Sequence, residues 1–302
     1  MTDGVPSVFS VERVKTMNLL DKERKERSTR NYFDDKSLIR DGGYKSPNAH
    51  LLQDIQIAIA LGKPVLLKGP AGAGKTKLAE SISHYFGQPM QSINTSVDLD
   101  AEALLGFKTI IQRDGQTAIE FVEGPVVEAM KKGHLLYIDE INMAKAETLP
   151  ILHGILDYRK MLTNPFTGEV IKAHPHFGVI AAINEGYMGT APLNEALKDR
   201  FVSFSIPYIH GDDLKELVKS QFPDLGDSDL DTVLAVTNEL RELSEQGRVA
   251  DESASIRSLF DVIELSFYMP LERAYQYGLL EKLADVQEKM LVHEIIASWL
   301  DA

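Results

Sequence analysis

Residues 68–78 read KGPAGAGKTKL, and this stretch restricts the fold of the 302-residue chain more than any other. Glycine loses more backbone freedom on folding than other residues, so three glycines in six positions (69–74) require something to approach the main chain closely. The run before them, PVLLK (64–68), suits a strand, and the run after them, KTKLAESISHYF (75–86), has helical spacing. Strand, glycine turn and helix fit the pattern G-x-x-x-x-G-K-[ST] at Gly69, Gly74, Lys75 and Thr76. Backbone of this kind curls so that successive N–H groups point at an anion, and the helix behind it adds its positive end. Gly69, Pro70, Ala71, Gly72, Ala73 and Gly74 then cradle phosphates. Lys75 reaches the β- and γ-phosphates and the Thr76 hydroxyl ligates Mg²⁺, so ATP and Mg²⁺ are the expected ligands.

Four further apolar runs of strand length follow: PMQSIN (89–94), HLLYID (134–139), FGVIAAIN (177–184) and FVSFSI (201–206). Runs rich in Val, Ile and Leu suit strands buried on both faces. Helical patterns lie between them, KAETLPILHGIL (145–156) among them, and another helix is expected from Pro47 to a stop at Gly62. The alternation predicts an α/β fold, a parallel sheet sandwiched by helices. After Pro207 the pattern is nearly all helical, through DDLKELVKSQF, SDLDTVLAVTNELRELSEQ, SASIRSLFDVIELSFY and LADVQEKMLVHEIIASWL. The expected organisation is a weakly structured arm (1–45), a nucleotide-binding domain (46–209) and a small all-helical domain (210–302). The charge run DKERKERSTR (21–30) reads as a solvated helix or frayed segment, with a docking tail as the alternative.

In HLLYIDEIN an apolar strand delivers Asp139 and Glu140 at its C-terminal end, where ligands bind in open α/β sheets. Asp139 suits the Mg²⁺ coordination sphere, and Glu140 suits orienting a water for attack on the γ-phosphate. Asn184 ends the run FGVIAAIN, where its amide can bond the attacking water or the γ-phosphate; a turn asparagine is the alternative. Arg200 stands just before the last strand run, where the bland role is a cation completing a helix C-terminus. Arg257 begins a helix of the second domain, where a cation is locally unfavourable, so either a functional role or an inter-domain ion pair holds it there.

The absence of cysteine excludes disulfides and thiolate zinc sites. A net charge of −13 repels phosphate backbones and disfavours nucleic acid as a partner. The opening MTDGVPSVFSVERV lacks the basic and apolar regions of a secretory signal, and no apolar run is long enough to span a bilayer, so a cytoplasmic protein without membrane insertion is expected.

The stretches GPAGAGKT, DLDAEALLGF (98–107), FVEGPVVEAMKKGHLLYIDEIN (121–142), AAINEGYMGTAPLNEALKDRF (181–201) and SIRSLF (255–260) together resemble the MoxR-like group of AAA+ P-loop ATPases. The resemblance is closest to the CbbQ/NirQ/NorQ/GvpN family and runs from about Pro47 to residue 260. It implies that Lys75 and Thr76 are the Walker A pair, Asp139 and Glu140 the Walker B pair, and Asn184 the sensor-1 residue. Arg200 matches the arginine finger donated to a neighbouring subunit, and Arg257 the sensor-2 arginine of a helical lid. Asn94 matches a residue that restrains Glu140. The resemblance further implies a homo-oligomeric ring, usually a hexamer, a partner with a von Willebrand factor A domain, and a client complex that the ring remodels. Two candidate hairpins, 107–124 and 159–177, stand where such proteins carry a helix-2 insert and a pre-sensor-1 hairpin. Other readings are a nucleic-acid-linked motor, a P-loop kinase, and a nucleotide-dependent switch or binding module.

Overall fold

The computed structural model describes residues 8–30, 32–46, 48, 50–95, 99–113, 116–184 and 192–300. The chain begins with α1 (Val8–Ser28), turns through a 3-10 segment at Phe33–Leu38 and enters α2 (Leu51–Ala60). β1 (Val65–Gly69) passes through the glycine loop into α3 (Lys75–Phe86), and β2 (Met90–Asn94) follows. After α4 (Ala101–Leu105) the chain forms a hairpin, β3 (Gly106–Arg113) and β4 (Gln116–Glu123), then α5 (Pro125–Lys132) and β5 (Leu135–Asp139). Next come α6 (Leu149–Leu156), a short hairpin of β6 (Met161–Thr163) and β7 (Val170–Lys172), and β8 (Gly178–Asn184). The short α7 (Glu195–Lys198) precedes β9 (Val202–Ser205).

Each of the five apolar runs forms a strand, and all five join one parallel sheet in the order β2-β5-β8-β1-β9. Successive side chains of a strand point to opposite faces, so an unbroken apolar run fills two cores at once. Leu66, Leu136, Ile138, Val179 and Ala181 face one core, which α4, α5 and α6 cover. Val65, Leu67, Leu135, Tyr137, Ile180 and Ala182 face the other, under α2, α3 and Leu20 of α1. The sheet is therefore sandwiched by helices, as expected. Both expected hairpins are present, though the tip at Asp114 and Gly115 lies outside the described residues, as do residues 185–191. On the first hairpin Ile110 and Ile119 face one another in register and are 71% and 73% exposed.

Beyond Ser205 the chain is helical: α8 (Gly211–Gln221), α9 (Asp227–Glu245), α10 (Ile256–Ser266), α11 (Leu271–Gly278) and α12 (Val286–Leu300). These helices bury a core of their own around Leu214, Val233, Val236, Ile263 and Val292, which makes an all-helical lid. Among the described residues, no helix is long and apolar enough to cross a membrane.

The arm departs from expectation. Its charge run is the last part of α1, and Arg27 is buried rather than solvated. The guanidinium donates to Glu23, to the Gln88 side chain at 2.7 Å and to the carbonyls of His176 and Ile59, and it lies over the Phe86 ring. Arg24 lies over Tyr85 in the same way. A buried charge is tolerated only when its hydrogen bonds are met, and these partners meet them. Sequence could not show this, because Gln88, His176 and Ile59 are distant along the chain.

Candidate functional site

The glycine loop takes backbone angles that other residues adopt at a cost. Gly72 and Gly74 have φ of +76° and +86°, and Gly74 caps the first turn of α3. Lys75 is buried, and its Nζ donates to the carbonyls of Gly69 and Pro70 at 2.9 and 2.7 Å. Thr76 Oγ1 lies 3.1 Å from the hydroxyl of Tyr137 on β5.

Strand register assembles the rest. Gly69 pairs with Asn184 across β1 and β8, and Asn94 pairs with Asp139 across β2 and β5. The loop, Asn184, Asp139 and Asn94 thus end four neighbouring strands at the same edge of the sheet. Glu140 follows at once in the left-handed region, with φ of +54°, and its N–H donates to Asp139 Oδ1 at 3.1 Å. Its carboxylate accepts from the Asn184 amide, Nδ2 to Oε1, at 3.2 Å. The buried Thr95 fastens the turn: its hydroxyl donates to the Glu140 carbonyl, with that of Asp139 3.2 Å away, and its N–H donates to the Asp139 carbonyl. A non-glycine residue at positive φ persists only where its surroundings hold it there, and Thr95 and Asp139 do so here.

Burial pushes the Asp139 carboxyl above the usual carboxylate range, the neighbouring charge of Glu140 pushes it further, and Lys75 opposes both. A carboxylate held in this way gains from a divalent cation beside it. With the Thr76 hydroxyl it forms a hard oxygen donor set, and the residues present therefore fit Mg²⁺. Thr76 and Asp139 would hold the ion, which would neutralise phosphate charge.

The lid meets the loop from the other side. Ser255, the N-cap of α10, packs so closely on Gly72 that a Cβ added there would lie 2.5 Å from the Ser255 Cβ. The same contact brings the first turn of α10, which carries the exposed Arg257, to the loop. Tyr208, between sheet and lid, sets its hydroxyl 3.1 Å from the Ala71 carbonyl and 3.1 Å from that of Asp251. The buried Arg241 lies over its ring and donates to the carbonyls of Ile209 and Ala254.

Arg200 is not part of this assembly. It precedes β9, and Val202 pairs with Val65 at the start of β1, the edge of the sheet opposite Gly69. There it lines a groove of about 330 Å³ with His153, Gly154, Asp157, Arg159 and Met161, and it donates to the Ala196 carbonyl.

Sequence reasoning missed Thr95, Tyr137 and Tyr208. For Tyr137 a signal was present: it stands two residues before Asp139 on one strand and so shares its face. Tyr208 gave none, since its partners are brought to it by the fold of the lid.

Residues 64–201 match the model of the AAA domain (dynein-related subfamily). YojN of Bacillus subtilis (strain 168), itself uncharacterized, is 58% identical over 259 residues, which are 86% of this chain and 85% of YojN. An uncharacterized protein of Staphylococcus aureus (strain USA300) is 52% identical over 84% of this chain and 97% of its own length. Among solved structures, a Thermotoga maritima RuvB mutant aligns with 84% of this chain and 67% of its own, at 15% identity and a TM-score of 0.48. With its glycine loop, five-stranded parallel sheet and helical lid, the chain belongs to the YojN-like proteins and carries the P-loop ATPase fold of the AAA+ family.

Proposed function

We propose that this protein is a Mg²⁺-dependent ATPase that works as a homo-oligomeric ring. One observation carries the reading: Lys75, Thr76, Asp139, Glu140 and Asn184 share one edge of the sheet, while Arg200 stands at the other. The loop and Lys75 bind the phosphates, and Thr76 and Asp139 hold Mg²⁺. Glu140 orients the attacking water, and its bond to Asn184 holds it ready between turnovers. Arg257 enters from the lid beside Gly72. Arg200 completes the centre of the adjoining subunit, since in this fold it stands at the end of the sheet away from its own loop.

The likeness of its motifs to MoxR-like proteins supports a further reading, in which the ring remodels or activates a client complex with a von Willebrand factor A domain partner. ATP turnover measured against protein concentration tests the ring. Turnover per subunit should fall steeply on dilution to monomers, and a flat curve would refute assembly. Capture of bound proteins by a Glu140→Gln ring, which holds ATP without cleaving it, identifies the client.

A further inference from the structure

The sheet edge places Lys75, Asp139, Glu140 and Asn184, but it does not place Arg257. That residue is exposed in the first turn of α10, and its guanidinium has no hydrogen-bond or ion-pair partner among the described residues. A long side chain without partners points where its backbone carries it. Leu259, Val262 and Ile263 fix the body of α10 in the lid core. The approach of its first turn to the glycine loop is set by the residues before it, 246–255, which form turns and bends only.

Such a segment has no helix or sheet ladder of its own, so groups from elsewhere must hold it. Ser253, Ala254 and Ser255 are buried, and buried polar groups need partners. Glu288, in the first turn of α12, supplies them. Its Oε1 accepts from the Ala250 N–H and from the Ser253 hydroxyl, at 2.7 Å each, and its own N–H donates to Asp285 Oδ1 at 2.8 Å. Amide and hydroxyl are the donors here, because a carboxylate offers lone pairs. Bonds to a carboxylate are about twice as strong as bonds between neutral groups. Two residues after Ser253, Ser255 caps α10 by accepting from the Ser258 N–H and packs on Gly72. A short path thus runs from α12 through Ser253 and Ser255 to the loop, and Arg257 stands at its end.

We propose that Glu288 is the positioning residue for Arg257. By holding Ala250 and Ser253 it sets where Ser255 meets Gly72, and so where the unpaired guanidinium enters the nucleotide site. This rests on the reading that Arg257 works in that site.

The test is steady-state ATP turnover of the full chain with Mg²⁺, in a cycle of single and double variants. Glu288→Ala should lower kcat/KM about tenfold, as small displacements of a working group are costly. In an Arg257→Ala background the same substitution should cost less than about threefold, since residues that act through one another are not additive. Equal losses in both backgrounds would show that Glu288 merely stabilises the lid, and unaltered turnover in Glu288→Ala would overturn the proposal outright. Glu288→Gln keeps an oxygen for both donors and should stay within about threefold of wild type. A loss as large as that of Glu288→Ala would mean that these bonds are not what matters. If Glu288→Ala does not fold, Ser253→Ala takes its place, since it removes one donor and leaves the Ala250 bond. It should lower kcat/KM about threefold in the wild-type chain and leave Arg257→Ala unchanged, and the same loss in both would overturn the link. Failure of the underlying reading looks different: Arg257→Ala by itself would then turn over ATP as wild type does.

Discussion

Arg200 and Gly69 stand at opposite ends of the strand pair β1–β9. Val65 pairs with Val202 just after Arg200, and β1 then climbs about 13 Å, at about 3.3 Å per residue, before Gly69 opens the glycine loop. Arg200→Ala should therefore leave nucleotide binding intact and cut turnover by about 10³–10⁵, the usual worth of an arginine supplied in trans. Mixing Arg200→Ala with Lys75→Ala subunits should restore part of the activity, because some interfaces then join an intact loop to an intact arginine. No recovery in mixtures that still co-assemble would refute donation across subunits.

Gly72 reports on the contact between lid and loop. In Gly72→Ala the new methyl meets Ser255 at 2.5 Å and carries the strain of a φ of +76°. Nucleotide affinity should fall about tenfold, equivalent to about 1.4 kcal/mol. Gly247→Ala is the control, since its φ is +70° and nothing lies within 4 Å. It should lower thermal stability while leaving affinity alone, and equal affinity losses in the two variants would disprove a local effect at Ser255.

Asp139→Asn separates stability from function. Burial and the charge of Glu140 raise the Asp139 pKa, so at neutral pH its ionised form opposes folding of the nucleotide-free protein. The amide should raise the melting temperature and abolish Mg²⁺-dependent turnover. A lowered melting temperature in the absence of nucleotide would contradict this account.

The base of the molecule should loosen in acid. His134 is fully buried, with Tyr32 packed edge-on at 5.7 Å and Asp35 3.4 Å away. Burial lowers its pKa, Lys132 and Arg30 lower it further, and Asp35 and Glu128 pull the other way. His174 and His176, also lowered by burial, lie near Arg30 and Arg27. Neutral imidazoles in the fold mean that stability is complete above the unfolded pKa of about 6.5 and is lost as pH falls below it. Protection factors of the α1 amides, from which the intrinsic pH dependence of exchange is removed, should fall between pH 7 and 5.5, and His134→Gln should blunt the change. Protection factors that do not change with pH would exclude this cause.

The sheet was legible because doubly buried strands leave unbroken apolar runs, and PVLLK, HLLYID and FGVIAAIN are such runs. The loop was legible because its chemistry is local: glycines, Lys75 and Thr76 act where they stand in the chain. What sequence concealed was set by contacts between distant residues. The end of α1 looked solvated because nothing in DKERKERSTR announces a pocket at Gln88 and His176. The Glu140 carboxylate accepts from the Asn184 amide, and Asn94, expected to restrain Glu140, is the register partner of Asp139. Thr95, one residue on, escaped notice because its role depends on β2 lying beside β5.

Tyr208 has a single proton to give and two carbonyls, of Ala71 and Asp251, equally near it. Only one of them can hold it fully at a time. Were Ala71 to turn away, the bond would pass to Asp251 at little cost, because the second acceptor already waits at the same distance. The hydroxyl is a two-position latch between the glycine loop and the lid.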